Sequence, residues 1–283
     1  MESVRSLFSA VAPLVKRRRS RAQIEAAMEG KLDAAFRAQL PAIERAAIAR
    51  LETARPPLKV WMPSDIAKDD AFDFDGIAED LTALLSESGV AGSVFAAGEM
   101  GLDWESAPPR ALAYARERAA ELVGRKWAGD SLIENPNPEF AITDTLRDRI
   151  NELVTQAIDE GWTGADLKQA LQDEAFSAWR AETIARTETA IAYNKGALAY
   201  YKDNGIERVR VLDGAGCLPE GHEDGAAPPS DAEGVQDDAE ANGQVWTGEE
   251  ADELEVAHPN CIRSFAPETG IPFEGQTTEE ETE

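Results

Sequence analysis

Residues 177–213, SAWRAETIARTETAIAYNKGALAYYKDNGIERVRVLD, hold the change of texture on which the fold turns. Ser177 to Lys202 reads as one long helix, and Asn204-Gly205 stops it, because a residue able to adopt positive φ ends a helix. Arg208-Val209-Arg210-Val211-Leu212-Asp213 then alternates with a period of two, the pattern of a strand with one face buried. Upstream of this switch helix signals dominate, and downstream the runs are short and β-prone.

Working outward toward the N-terminus, Met28, Leu32, Ala35, Phe36, Ile43, Ala47 and Leu51 recur at three- and four-residue steps. That stripe predicts a long amphipathic helix, kinked or split near Pro41 and ended by Pro56-Pro57. Asp75 to Ser86 predicts a short helix, and the apolar, glycine-rich run Gly89 to Gly101 has ambiguous periodicity. Pro108-Pro109 opens a strong helix, since proline is tolerated in a first turn. Asn135-Pro136-Asn137-Pro138 reads as a loop. Thr143 or Asp144 is placed to cap a helix whose buried face is Leu146, Ile150, Leu153, Val154, Ala157 and Ile158, ended by Gly161. Thr163-Gly164-Ala165-Asp166 caps a short helix with Leu167 and Leu171.

Downstream, Gly243-Gln244-Val245-Trp246-Thr247 and Cys261-Ile262-Arg263-Ser264-Phe265 supply two more β-prone runs. Three such strands make a module too poor in core to be stable without a staple. Both cysteines and both histidines of the chain lie here: Cys217 and His222 in Cys-Leu-Pro-Glu-Gly-His, His258 and Cys261 in His-Pro-Asn-Cys. Two ligand pairs on Pro-containing turns suit a tetrahedral structural zinc. A Cys217–Cys261 disulfide and an accidental clustering are the other readings. Against the disulfide, the apolar run Leu7 to Val15 precedes the basic cluster instead of following it, as it would in a secretory signal.

Four protein ligands leave no open position on the metal, so no enzymatic activity and no small-molecule substrate are expected. His222-Glu223 lacks a second His one helical turn on, and the deaminase pattern of His-x-Glu followed by Pro-Cys-x-x-Cys is absent. The predicted fold class is therefore mainly α with a small C-terminal α+β module stapled by zinc. Its divisions are a basic tail over residues 1–21, a helical domain over 22–205, the module over 206–268 with an acidic loop at 223–242, and an acidic tail over 269–283.

The formal net charge is −26, unevenly spread. From Asp213 to Glu283 twenty acidic residues face one basic residue, Arg263, which leaves −19. Such a segment repels phosphate, so any weak DNA contact is expected from Lys16, Arg17, Arg18, Arg19 and Arg21 in the tail. The alternative for that cluster is a solvated basic end of a helix. No apolar run approaches the ~20 residues of a spanning helix, so no membrane contact is expected.

Ile184-Ala185-Arg186-Thr187-Glu188-Thr189-Ala190, then Ala192-Tyr193-Asn194-Lys195-Gly196-Ala197-Leu198, resembles the phage head morphogenesis family, the minor head proteins similar to the F protein of phage Mu. The order of that family's motifs is kept: Val209 to Leu212, Cys217 and His222, Gly243 to Trp246, then His258 to Cys261. His222 replaces a thiolate, and Arg263 stands where the family has its final Cys. The resemblance implies a virion protein of the capsid interior, made in the host cytoplasm, with the portal and capsid proteins as partners and a part in head assembly or DNA packaging and delivery. A zinc-containing effector or nuclease-like enzyme, or a nucleic-acid-binding module acting through the tail, are the alternatives. Only eighteen residues follow Phe265, too few for a further catalytic domain. On the motif helix, Arg186 is expected to anchor a carboxylate or strand carbonyls of the adjacent module, and Asn194 to satisfy backbone groups where helix meets sheet. Arg186 and Glu188 are two apart and do not face each other.

Overall fold

The computed structural model describes residues 19–54, 74–139, 141–213, 241–256, 259, 261 and 263–268. The described chain is mainly helical, with small antiparallel sheets. Its helices are α1 (Arg21–Ala54), α2 (Ala78–Glu99), α3 (Pro109–Leu122), α4 (Ile142–Glu160), α5 (Gly164–Ala170), α6 (Ala178–Asp203) and the short α7 (Gly248–Glu253). A hairpin of β1 (Arg125–Ala128) and β2 (Ser131–Glu134) stands apart from a three-stranded sheet. That sheet has β3 (Arg208–Leu212) in the centre, flanked by β4 (Val245–Thr247) and β5 (Ser264–Pro267).

The α1 stripe lies in one core with both halves of the helix. Ile24, Met28, Leu32 and Phe36 before Pro41, and Ile43, Ala47 and Leu51 after it, are all buried. The helix therefore continues through Pro41 and is not split. The exposed ring sacrifices one backbone bond at a cost of roughly 3 kcal/mol, which the shared core outweighs. Phe36 sits edge-on to Phe74 and Phe176, at centroid distances of 6.1 and 6.0 Å.

Asp75 to Gly101 holds a single long helix preceded by a 3₁₀ turn, so the short-helix reading was too short. By length and composition α2 would suffice to cross a membrane, contrary to the expectation from apolar runs, because its Leu, Val, Phe and Ala residues outweigh the Gly and Ser between them. In the structure 67% of that apolar window is buried. The small residues are there for packing. A Cβ on Gly92 would come within 1.9 Å of the Tyr193 carbonyl oxygen, and one on Gly196 within 1.9 Å of the Gly89 carbonyl oxygen. The backbones of α2 and α6 touch at this crossing. Ser88 Oγ adds a hydrogen bond to the Thr189 carbonyl at 2.8 Å.

Three local readings are corrected. Helix α4 begins at N-cap Ala141 with no side-chain cap, not at Thr143 or Asp144, since buried Ala141 and Ile142 draw the start back. Gly129-Asp130 joins the unanticipated hairpin, with Ala128 paired to Ser131 and Gly129 at φ 63°. Strand β5 begins at Ser264, later than Cys261. The stops at Gly161 (φ 71°) and Gly205 (φ 79°) and the cap at Thr163–Asp166 stand as read, and Ser177, read as the start of the long helix, is its N-cap.

The second core joins α2 (Ala96, Ala97) and α6 (Ala197, Leu198, Tyr201) to the sheet residues Val209, Val211, Trp246 and Phe265. The sheet thus completes its core with the ends of two long helices.

Gly196→Ala is expected to lower stability by about 1–3 kcal/mol, since overpacking against backbone exceeds the ~1 kcal/mol helix-propensity gain. Gly30→Ala, where nothing lies within 4 Å, should instead raise it by up to about 1 kcal/mol. Chemical denaturation of the two variants reads the opposite signs.

Candidate functional site

From Glu188 onward, α6 meets α3, the sheet and the chain at Glu255 and Arg263. Glu188 is buried and receives two hydrogen bonds from Arg118 of α3, at 2.9 and 2.7 Å. Arg118 also donates to the Glu121 carboxylate and to the Glu139 carbonyl, so one guanidinium joins α3, α6 and the loop before α4. Burial opposes its charge, but the Glu188 carboxylate outweighs that and holds Arg118 above its ordinary pKa. Arg186 is half-buried and makes no ion pair with another described residue. The anchoring expected of it is supplied by Arg118 and, in the module, by Arg263.

Asn194 is fully buried, and its Nδ2 donates to the carbonyl oxygens of Glu255 (2.8 Å) and Arg263 (3.0 Å). Beside it, Lys195 Nζ donates to the Asp252 carbonyl at 2.6 Å and pairs with the carboxylates of Asp252 and Glu255 at 3.1 and 3.2 Å. Burial raises the Glu255 pKa, with Lys195 opposing. About two turns further on, the Tyr201 hydroxyl donates to the Phe265 carbonyl of β5 at 3.1 Å. Burial, with the Glu99 charge adding, pushes that phenol far above its usual range.

Arg263 is the largest fully buried side chain among the described residues. It forms a two-pronged ion pair with Asp213, both contacts 2.9 Å, with side-chain exposures of 2% and 1%. Its remaining nitrogen donates to the Leu254 carbonyl at 3.0 Å, and the guanidinium lies 5.0 Å from the centre of the Trp246 ring. Cys261 is buried, and its Sγ accepts the Arg263 backbone N–H at 3.4 Å. Cys217, His222 and His258 lie outside the described residues. Of the basic tail, Lys16, Arg17 and Arg18 also lie outside, while Arg19 grips the buried Glu87 carboxylate at 2.9 and 2.6 Å. Arg21 pairs with Glu25 at 2.9 Å and lies over the Tyr193 ring.

Between α3, α6, β3 and α7 lies a groove of about 630 Å³, lined among others by Arg110, Tyr114, Lys195, Lys202 and Asp252. Its charges are largely spent on one another. Arg110 donates to the Ala199 carbonyl and to Asp203, and Lys195 is held as above while lying 5.6 Å from the Tyr114 ring centre. Burial raises the Tyr114 pKa well above the ordinary value, and the Glu188 charge adds to it.

The buried pair Asp213–Arg263 was missed in the sequence, although a signal was present: Arg263 alternates in step with Phe265 and so faces the core. Arg118 gave no such signal. No family model, curated protein or solved structure matches this chain.

Removing one partner of a buried pair strands the other, so Asp213→Ala is expected to destabilise the protein by about 3–5 kcal/mol. The double change Asp213→Leu with Arg263→Met should recover most of that loss, and a double-mutant cycle in urea measures the coupling.

Proposed function

We propose that this chain is a minor head protein of a tailed phage or prophage, binding the portal and the inner capsid and serving head assembly or DNA packaging and delivery. The observation that carries this reading is the joint on α6. Two residues of the stretch that resembles the head morphogenesis family act as ties there: Asn194 bonds the carbonyls of Glu255 and of Arg263, the latter two residues past Cys261, and Glu188 fastens the same helix to Arg118 of α3. Their polar groups are used to hold elements together, which fits a role in assembly better than one in catalysis. Trp179, 68% exposed at the start of α6, offers an anchor of the type that dominates protein interfaces.

The same reading includes one structural zinc held by Cys217, His222, His258 and Cys261. Cys261 fits such a role: it is fully buried, and its sulfur already accepts a backbone N–H. When bound, the metal would cross-link the two turns and add binding energy to folding.

Co-expressed with its cognate portal and capsid proteins, the chain should co-purify with portal complexes or heads, and Trp179→Ala should reduce that capture several-fold without altering the circular dichroism spectrum. Normal expression with absence from both particles would overturn the assignment.

Because Arg19 and Arg21 are committed to Glu87, Glu25 and Tyr193, three basic groups of the cluster remain for DNA. The slope of log affinity against log salt should then be no steeper than about −2.7, with little sequence preference. Deleting residues 1–18 should abolish binding. A truncated chain that keeps the same affinity and slope would place the contact elsewhere.

A further inference from the structure

With 54 acidic residues against 28 basic ones, an arginine in this chain finds a carboxylate easily, as Arg19, Arg118 and Arg263 do. Arg180, in the first turn of α6, is different. Its Nη2 donates to Thr145 Oγ1 of α4 at 2.5 Å, and that hydroxyl gives its own proton to the Ala141 carbonyl at 3.0 Å. The Arg180 Nε is buried without an acceptor, and no carboxylate pairs with the guanidinium among the described residues. Burial, with the Arg149 charge adding, lowers the Arg180 pKa from its ordinary value. Arg149 itself is neutralised twice, by Glu152 at 2.7 Å and by Glu174 of the π turn Leu171–Ala175 that leads into α6. Immediately before Arg180 stands Trp179, the most exposed large apolar side chain among the described residues.

We infer that Trp179 and Arg180 form a docking surface for a protein segment that presents an acidic side chain beside an apolar one, the carboxylate meeting the Arg180 guanidinium and the apolar group covering the Trp179 ring. The inference rests on the assembly reading above for the partner, a portal or capsid protein, and adds the chemistry that this partner must offer. A guanidinium held with part of its water removed and no counter-charge gains more from a carboxylate than an exposed, already paired one, because much of the desolvation has been incurred and the local dielectric is lower. Its remaining N–H donors lie in a planar fork that one carboxylate can accept with both oxygens. Trp and Arg are also the residue types that carry most of the energy of protein interfaces. Duplex DNA fits this surface less well. It presents a phosphate every ~1.7 Å of its axis. The elements that hold Arg180 carry Asp144, Asp148, Glu152, Asp173, Glu174 and Glu182 against Arg147 and Arg149, which disfavours a row of phosphates while leaving one guanidinium for one carboxylate.

The test uses the full chain with its purified cognate portal and capsid proteins. Affinity is read by biolayer interferometry at low and high salt, and the melting temperature is read on the chain alone. Arg180→Met keeps the length of the side chain and removes its charge. It should leave the melting temperature unchanged or higher, since an unpaired and partly buried charge is lost, and weaken the complex roughly 10-fold or more. Arg180→Lys, which keeps the charge without the fork, should fall between. Wild-type affinity should fall as salt rises, and that of Arg180→Met should fall less. Arg180→Glu should abolish binding, and one Asp→Lys or Glu→Lys change among the partner's exposed acids should restore it. Unchanged affinity in Arg180→Met, or failure of every such reversal to restore binding, overturns the inference. So does an Arg180→Met chain that fails to fold or melts far lower, because the guanidinium would then serve the fold. A chain lacking residues 1–18 that still binds duplex DNA, and loses it in Arg180→Met, would assign the surface to nucleic acid instead. A wild-type chain that binds neither portal nor capsid protein overturns the assembly reading and the inference with it, whereas wild-type binding with unaffected variants removes only the docking surface.

Discussion

Two helix backbones in van der Waals contact set the positions of nearly everything else described. At the crossing of α2 and α6, Gly92 and Gly196 leave no room for even one methyl group, and Ser88 stitches the helices by bonding a carbonyl of α6. Such an approach removes the slack that larger side chains would leave, so α6 has one position relative to the body. Thr189 on the same helix contacts Met28 of α1, Glu188 meets α3 through Arg118, and the last turns carry the sheet. Moving α6 by a methyl's width would disturb both main cores together, because protein interiors are close-packed and transmit displacement.

The polar contacts along α6 follow from that fixed position. Glu188, Asn194, Lys195 and Tyr201 lie within four turns, and each holds a different element: α3, the two ends of the 254–263 segment, α7 with its following turn, and β5. Hydrogen bonds of this kind contribute about 1 kcal/mol each when made, and leave a larger penalty when a buried partner is orphaned. Their greater effect is on specificity: the sheet can dock on α6 in one register only.

Much of the helical skeleton was legible. Ser177, Thr163, Gly161 and Gly205 mark ends by local chemistry, which neighbours in sequence determine. Elements whose form depends on distant packing were not. Pro41 reads as a break, yet α1 runs through it because both halves feed one core. Gly92 lies in a stretch that reads as ambiguous texture, yet it is helical and leaves the space that the α6 backbone fills. The hairpin at Gly129-Asp130 and the Thr247–Glu250 capping box did carry local signatures, of two-residue turn and helix start. At the site, Asn194 was expected to meet backbone groups between helix and sheet. The identity of the anchoring arginine depended on tertiary partners that one-dimensional spacing does not encode.

The C-terminal module shows how an acidic, core-poor segment is given a fixed form. The expectation of a staple came from counting its apolar residues alone, but the module shares the ends of α2 and α6 as core. To this it adds the Asp213–Arg263 pair, which joins the chain just before Cys217 to the chain just after Cys261. A metal held by the four proposed ligands would close nearly the same loop from inside. Two links that close one loop are not additive, since the second is formed on a chain already constrained by the first. Arg263, standing where the resembling family has its last cysteine, closes that loop through Asp213 instead. The ion pair and the two Asn194 hydrogen bonds fasten the chain at Glu255 and Arg263 to the end of β3 and to α6, so this part of the module takes its place from protein contacts alone.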